Sequence, residues 1–135
     1  MSGRREPIWI ERLVLDAVHF DQIREHGGLS GVRDENSLES ALARPRHRWL
    51  YSRRTEIPAI AAAYAYGITR NHPFRDGDKR TGFLAMYIFL GLNGYELVAP
   101  ETEVVAVMVS VAAAKMTEST LIRWVKAHSG RWKER

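Results

Sequence analysis

The residues best suited to chemistry lie together at positions 71–82, with the sequence NHPFRDGDKRTG. This stretch holds a histidine, a glycine turn, carboxylates and cations, and a long apolar run follows it directly. The first N–H groups of a helix lack intrahelical partners, and the helix dipole favours negative charge there. A helix that begins after this turn therefore binds anions, and the stretch predicts a phosphate-transfer site.

Each polar residue of the stretch suits one task in phosphate transfer. Arg80 can grip phosphate oxygens bidentately, and Lys79 adds a second positive charge. Asp76 can hold Mg2+, which keeps most of its waters and uses only one or two carboxylates together with phosphates. His72 ends the preceding helical pattern, where an imidazole can take a proton from an incoming hydroxyl. Gly77 lets the backbone approach phosphate closely.

Taken singly, these residues have plainer explanations. A lone His72 can be a helix-ending histidine near the C-terminal dipole, the glycine can belong to an ordinary turn, and the cations can belong to a solvated helix start. Their occurrence together, in this order, favours the functional interpretation. His19 differs, because it lies inside an amphipathic pattern and is predicted to be a structural histidine.

The elements that must position this stretch are predicted to be helices. The predicted helices run from Ile10 to Gly27, from Asn36 to Pro45, from Pro58 to the motif, from Gly77 to Leu92, from Pro100 to Lys115, and from a Thr117 cap onward. No strand pattern of convincing length occurs, although residues 48–54 are predicted to form a short extended flap that includes Trp49 and Tyr51.

Three local details accompany this prediction. The inner face of the first helix is predicted to comprise Ile10, Leu13, Val14, Ala17 and Val18. Asn36 and Glu39 form a pair typical of a capping box at the start of the second helix. Phe74 is predicted to point into the core and to fix the loop, with His72 and Asp76 on its open side.

Length and composition bound the remaining possibilities. The 135 residues and their apolar content of 45% predict one domain, residues 1–135, with flexible ends at 1–7 and 129–135. There is no cysteine, and the apolar runs are too short to cross a bilayer, so a soluble cytoplasmic chain without a membrane partner is expected. The net charge of +4 is interpreted as a solvated basic surface in preference to a nucleic-acid site.

Beyond these inferences, the stretch resembles the signature of the Fic/Doc superfamily, His-x-Phe-x-Asp/Glu-Gly/Ala-Asn-Gly/Lys-Arg. Lys79-Arg80-Thr81 resembles the death-on-curing (Doc) toxin branch, and residues 27–34, 38–45 and 93–95 resemble other parts of Doc-like chains. The resemblance implies an all-α fold, a compact single-domain bundle of about six helices with the catalytic loop between two central antiparallel helices.

The resemblance also implies a role for each matching residue. His72 corresponds to the catalytic base and Asp76 to the ligand of Mg2+. The ATP phosphates are assigned to the turn and to a preceding arginine, namely Arg70, Gly77, Asp78, Lys79 and Arg80.

Asp78 departs from the family pattern, which has asparagine at this place. An amide can donate to phosphate oxygens, whereas an ionised carboxylate only accepts. Three explanations stay open at this point: an inactivated enzyme, a natural variant with altered metal use, or an engineered change.

In the family, AMP transfer goes with a second arginine shortly after the first, and here Thr81-Gly82-Phe83-Leu84 follows Arg80 without one. The resemblance therefore implies transfer of the γ-phosphate of ATP to a hydroxyl, such as a threonine of translation elongation factor Tu, and neutralisation by a cognate antitoxin. Nucleic acid is expected only indirectly, through that antitoxin. The alternatives are an AMP-transferase and a catalytically impaired binding module.

Overall fold

A computed structural model describes residues 4–132 of the chain. The described residues form, in chain order, α1 (Arg12–His26), α2 (Glu35–Tyr51), α3 (Ile57–Asn71), α4 (Asp78–Leu92), β1 (Tyr95–Leu97), α5 (Glu101–Ala112), α6 (Glu118–His128) and β2 (Ser129–Arg131). The predicted all-α class is confirmed, since the two short strands are the only sheet within that range.

The core is built around α3, which is buried along nearly its whole length and packs against α2, α4 and α6. Proline stands in its first turn as predicted, where the missing N–H costs nothing. Small residues let α4 approach closely, because a Cβ added to Gly82 would lie only 2.6 Å from Thr69 Oγ1 and 3.2 Å from the Ala65 carbonyl oxygen. The α3–α4 pair is thus a tightly packed base for the loop that joins its two helices.

The predicted inner face of α1 is wrong in large part, although Ile10, just before the helix, is buried as predicted. Leu13 is 81% exposed and Val14 is 43% exposed, whereas Leu15 and His19 are the buried residues of this helix. The sequence shows apolar residues on both sides of α1, and the side that packs carries His19, whose ring stacks on Phe74 of the distant loop. This contact has no counterpart in the local pattern.

The predicted end of α2 is also wrong, because Pro45 lies inside the helix and the chain stays helical to Tyr51. Proline removes one intrahelical hydrogen bond, but Pro45 itself is buried and the residues beyond it gain tertiary contacts. Trp49 packs edge-on against Trp9, so the predicted extended flap does not form over residues 48–51. The helix starts with Asp34 as its cap rather than with the predicted Asn36–Glu39 pair.

The other predicted boundaries agree closely with the structure. α4 begins directly after Gly77 and ends at Leu92, and the Thr117 hydroxyl caps α6 by accepting from the Thr120 N–H. α5 begins after Pro100 and ends three residues before the predicted Lys115.

Part of the expected flexible C-terminal end is held in place. β2 pairs antiparallel with β1, and the Trp132 indole N–H donates to the Tyr95 carbonyl oxygen at 2.6 Å. The expected flexible residues 1–3 and 133–135 lie outside the described part of the chain.

Arginines of α2 are engaged in intramolecular contacts. Arg44 and Arg48 both reach Glu118 of α6, and Arg46 lies over the Trp9 ring. These pairings agree with the interpretation of the basic residues as an ordinary surface.

Candidate functional site

The loop between α3 and α4, residues 72–77, reverses the chain with one left-handed residue at each end. Gly77 has φ +82°, which glycine adopts freely, but His72 has φ +49° and carries a side chain. Such a conformation costs free energy in most residues, and surrounding contacts must hold it. Arg33 supplies them, since its guanidinium donates to the His72 carbonyl oxygen at 2.6 Å and to the Asn71 carbonyl oxygen at 3.0 Å.

A second segment, residues 27–34 between α1 and α2, runs alongside this loop and bonds to its backbone. Val32 and Phe74 form an antiparallel bridge. The Arg33 N–H donates to the Pro73 carbonyl oxygen at 2.7 Å, and the Arg75 N–H donates to the Gly31 carbonyl oxygen at 3.1 Å. The loop is therefore fixed through its main chain. A site that holds reacting groups in a defined geometry requires such a fixed backbone.

Phe74 is 2% exposed, so its predicted position in the core is confirmed. The His19 ring stacks on it at 3.8 Å with an angle of 9° between the planes. His19 Nε2 lies 2.8 Å from the Asp76 carbonyl oxygen. Because a carbonyl oxygen only accepts, Nε2 of His19 carries the proton in this bond. The predicted structural histidine thus braces the loop from α1.

Asp76 is exposed on the open side of the loop, and one of its carboxylate oxygens is already fixed. Its Oδ2 accepts from the Leu29 N–H at 2.6 Å, and a Cβ at Gly28 would meet the Asp76 Cβ at 3.0 Å. Glycine at position 28, where φ is +114°, leaves room for this carboxylate. The second oxygen stays available for a ligand.

This environment fits a magnesium ion of the kind that the sequence predicts. Within residues 4–132 no three His, Asp or Glu side chains group as a metal cluster. A dedicated protein cage is therefore missing from that range, whereas one oriented carboxylate suits a cation that takes its other ligands from water and phosphate.

Asp78, the departure from the family pattern, points back into the loop. Its Oδ1 accepts from the Phe74 N–H at 3.0 Å, and its Oδ2 lies 3.6 Å from His72 Nδ1. Burial raises the pKa of the Asp78 carboxyl above its ordinary value, while the Phe74 N–H and the imidazoles of His72 and His19 favour its charged form.

The remaining residues of the predicted phosphate turn stand at the start of α4. The first intrahelical hydrogen bond of α4 runs from the Thr81 N–H to the Gly77 carbonyl oxygen, which leaves the preceding N–H groups for an anion. Lys79 and Arg80 are both exposed beside these groups. Backbone N–H groups, dipole and cations thus coincide at one helix end.

Arg70, like Asp78, is a predicted phosphate-binding residue whose side chain contacts other protein groups in the structure. Its Nη1 donates at 3.2 Å to the carbonyl oxygen of Ala112, which is the last residue of α5. A role on phosphate requires this side chain to leave that carbonyl group, so the role stays a prediction. The sequence also missed Arg33 and the Leu29 N–H, for which the glycines at 27, 28 and 31 were the available signal.

An open groove of about 490 Å³ starts at the phosphate turn and continues between α1 and α5. It is lined by the turn and by mostly apolar side chains, namely Gln22, His26, Gly77, Asp78, Lys79, Arg80, Phe83, Leu84, Glu101, Val104, Val105, Met108 and Val109. We call this surface the α5 groove. His72 and Asp76 lie outside its lining.

Comparison with known proteins agrees with these observations. A model of the Fic/DOC family matches residues 9–90, which include α1, α2, α3 and the loop. The chain is 30% identical over 107 residues to the "Protein kinase doc" of Escherichia phage P1. The aligned residues make up 79% of this chain and 84% of that protein. It is 38% identical over 74 residues to the "Toxin Doc" of Mycolicibacterium smegmatis, which covers 54% of this chain and 57% of that protein. No helix among the described residues is long and apolar enough to cross a membrane.

Proposed function

The chain belongs to the Fic/Doc family, and from this premise we propose that it is a Doc-type toxin that transfers the γ-phosphate of ATP to a hydroxyl group of a protein. One observation carries the proposal: the loop presents His72 and Asp76 on its open side, directly before the N-terminus of α4 with its two exposed cations. Base, metal ligand and phosphate cradle are the parts that phosphoryl transfer requires.

The chain's own residues divide the work as follows. The N–H groups at the start of α4, together with Lys79 and Arg80, bind the phosphate oxygens and offset their charge. Asp76 holds Mg2+ through its oxygen that does not bond Leu29, and the ion, when bound, adds charge neutralisation at the phosphates. His72 accepts the proton of the substrate hydroxyl as that oxygen bonds to the γ-phosphorus and the bond between this phosphorus and the departing ADP breaks.

The residues after Arg80 support transfer of the γ-phosphate. The second arginine that the resemblance links to AMP transfer is absent, and its neighbourhood is occupied by packing residues. Thr81 and Gly82 are buried against α3. Phe83 and Leu84, which follow them, contribute apolar side chains to the lining of the α5 groove, so Arg80 is the arginine that this helix turn offers to the triphosphate.

The finer parts of the proposal follow from the family. The acceptor is a threonine hydroxyl of elongation factor Tu, the site of action is the cytoplasm where translation occurs, and the activity is held in check by a cognate antitoxin. The α5 groove has an exposed lining that includes basic and apolar side chains. Such a lining is complementary to a partner segment that presents acidic and apolar side chains.

The test uses purified protein, Mg2+ and a bacterial lysate, with ATP labelled at the γ-phosphate in one reaction and at the α-phosphate in another. We expect label on a protein from the γ position only, and none with His72→Ala. His47→Ala is the matched control, because His47 is an exposed histidine of α2 and lies outside the loop.

The outcomes separate the candidate functions. Label from the α position would make the protein an AMP-transferase. If neither position gives label, an impaired binding module would be favoured, because Asp78 stands where the family pattern has asparagine. Equal labelling by His72→Ala would remove His72 from the role of base.

A further inference from the structure

Arg33 is bonded to three consecutive carbonyl groups of the segment that carries His72. Its Nε donates to the His72 carbonyl oxygen at 2.6 Å, and its Nη2 donates to the Asn71 carbonyl oxygen at 3.0 Å. Its backbone N–H donates to the Pro73 carbonyl oxygen at 2.7 Å. A single residue therefore fixes the peptide groups on both sides of the His72 Cα atom.

These bonds oppose the conformational preference of the local chain. His72 has φ +49° and precedes a proline, whereas the residue before a proline favours an extended conformation at negative φ. A left-handed residue with a side chain persists only where surrounding contacts hold it. The guanidinium of Arg33 is suited to this, because it meets the carbonyl groups at the negative end of the α3 dipole.

The place of the His72 imidazole depends on this backbone. The side chain is 53% exposed, and its ion pair with Asp78 Oδ2, at 3.6 Å, is longer than a hydrogen bond. Little else therefore fixes the ring. Since the rotamers open to a side chain depend on φ and ψ at its own Cα atom, a change of residue 72 from left-handed to extended would move the imidazole relative to the start of α4.

We propose that Arg33 is a positioning residue that holds His72 in the left-handed conformation in which its imidazole serves as the base. The catalytic meaning rests on the proposed function, whereas the conformation is a property of the folded protein alone. Arg33 is itself held at the start of α2, because the neighbouring Asp34 caps that helix by accepting from the Asn36 and Ser37 N–H groups. The base is thus tied to α2 as well as to the two helices that flank the loop.

The direct test is an NMR measurement on ¹⁵N,¹³C-labelled protein without ATP or metal. At positive φ the amide proton and the Hα of one residue lie closer together than at negative φ, so the nuclear Overhauser effect (NOE) between them is stronger. We expect a strong NOE within His72 in the wild type and a weaker one in Arg33→Ala. Ala114, which follows α5 with φ +61°, is the internal reference and must give a strong NOE in both proteins.

Kinetics supplies a second readout. In the γ-phosphate assay, Arg33→Ala is expected to lower kcat by about tenfold or more, because the base leaves its working position. KM for ATP should change less than about threefold, because the N–H groups and cations of α4 remain. A role in stability alone would reduce the folded fraction, but it would leave the NOE and the kcat of each folded molecule unchanged.

Two further variants sharpen the test. Arg33→Lys keeps the positive charge but loses the planar pair of donors, so a kcat between those of the wild type and Arg33→Ala is expected. Arg24→Ala is the matched control, since Arg24 pairs with Asp21 on the surface of α1, and it should keep the wild-type rate.

The proposal is overturned if Arg33→Ala keeps the strong NOE within His72, or if it keeps the kcat of an active wild type. Full activity of Arg33→Lys would assign the effect to charge alone, and a raised KM with unchanged kcat would assign it to phosphate binding; both would also overturn the proposal. Failure of the wild type to transfer phosphate would overturn the proposed function alone, because the NOE is read without substrate.

Discussion

At the scale of single residues, the loop separates groups that hold its shape from groups that face outward. Arg33, His19 and Asp78 bond to main-chain atoms of residues 71–76, while Lys79 and Arg80 remain exposed. Asp76 does both, because one oxygen is bonded to Leu29 and the other is available. A preorganised carboxylate of this kind binds a cation without first giving up a flexible conformation.

Asp76→Asn tests the assignment of this carboxylate to the metal. The amide oxygen can still accept from the Leu29 N–H, so the free energy of unfolding should change by less than about 0.5 kcal/mol. The lost negative charge should weaken the response to Mg2+ and lower kcat by about 100-fold. Transfer rates across a magnesium titration, together with thermal unfolding, measure both effects.

The control for that variant is Asp21→Asn, since Asp21 pairs with Arg24 on the surface of α1. Its transfer rate should equal that of the wild type. An Asp76→Asn protein with the same rate and the same magnesium response would exclude Asp76 as the ligand.

At the scale of helices, the distance between α3 and α4 sets the geometry of the loop they flank. Gly82→Ala places a methyl group 2.6 Å from Thr69 Oγ1 and 3.2 Å from a backbone oxygen, so the Thr69 side chain or the helices themselves must move. We expect a loss of about 1–3 kcal/mol in the free energy of unfolding, despite the better helix propensity of alanine. Chemical denaturation measures the loss, and a lower transfer rate in the folded variant would show that the loop has shifted.

Gly91→Ala is the matched control in the same helix. Its added Cβ would meet the Trp132 ring at an ordinary 3.9 Å, so helix propensity dominates and a gain of about 0.5 kcal/mol is expected. If both variants were equally stable, the close approach at Gly82 would not limit the α3–α4 contact.

For the helices, the sequence alone predicts some boundaries but not which sides pack. The boundaries of α4 and α6 follow from a glycine turn and a threonine cap, which are local signals. The packing side of α1 and the passage of α2 through Pro45 depend on distant contacts, with Phe74 and Trp9 respectively. The motif predicted which residues gather in the loop, whereas the inward turn of Asp78 and the support from Arg33 arise from tertiary structure.

At the scale of the whole molecule, the arrangement places two different surfaces on either side of the start of α4. The loop exposes polar groups suited to phosphate, and the α5 groove exposes valines of α5 beside the same cations. Val105 is 56% exposed and Val109 is 49% exposed. A partner segment that covers these valines would also reach Lys79 and Arg80, which links occupation of the groove to access at the phosphate site.

Val109→Glu tests the proposed antitoxin contact at this groove. The exposed valine can be replaced without opening the core, but a buried carboxylate would face the covering segment and would also repel its acidic groups. We expect affinity for the cognate antitoxin to fall by about tenfold or more, and growth arrest to persist when both proteins are expressed. Calorimetry and growth curves measure these effects.

Leu13→Glu is the control, because Leu13 is 81% exposed on α1 and does not line the groove. Neutralisation of Val109→Glu at wild-type affinity would place the antitoxin on another surface.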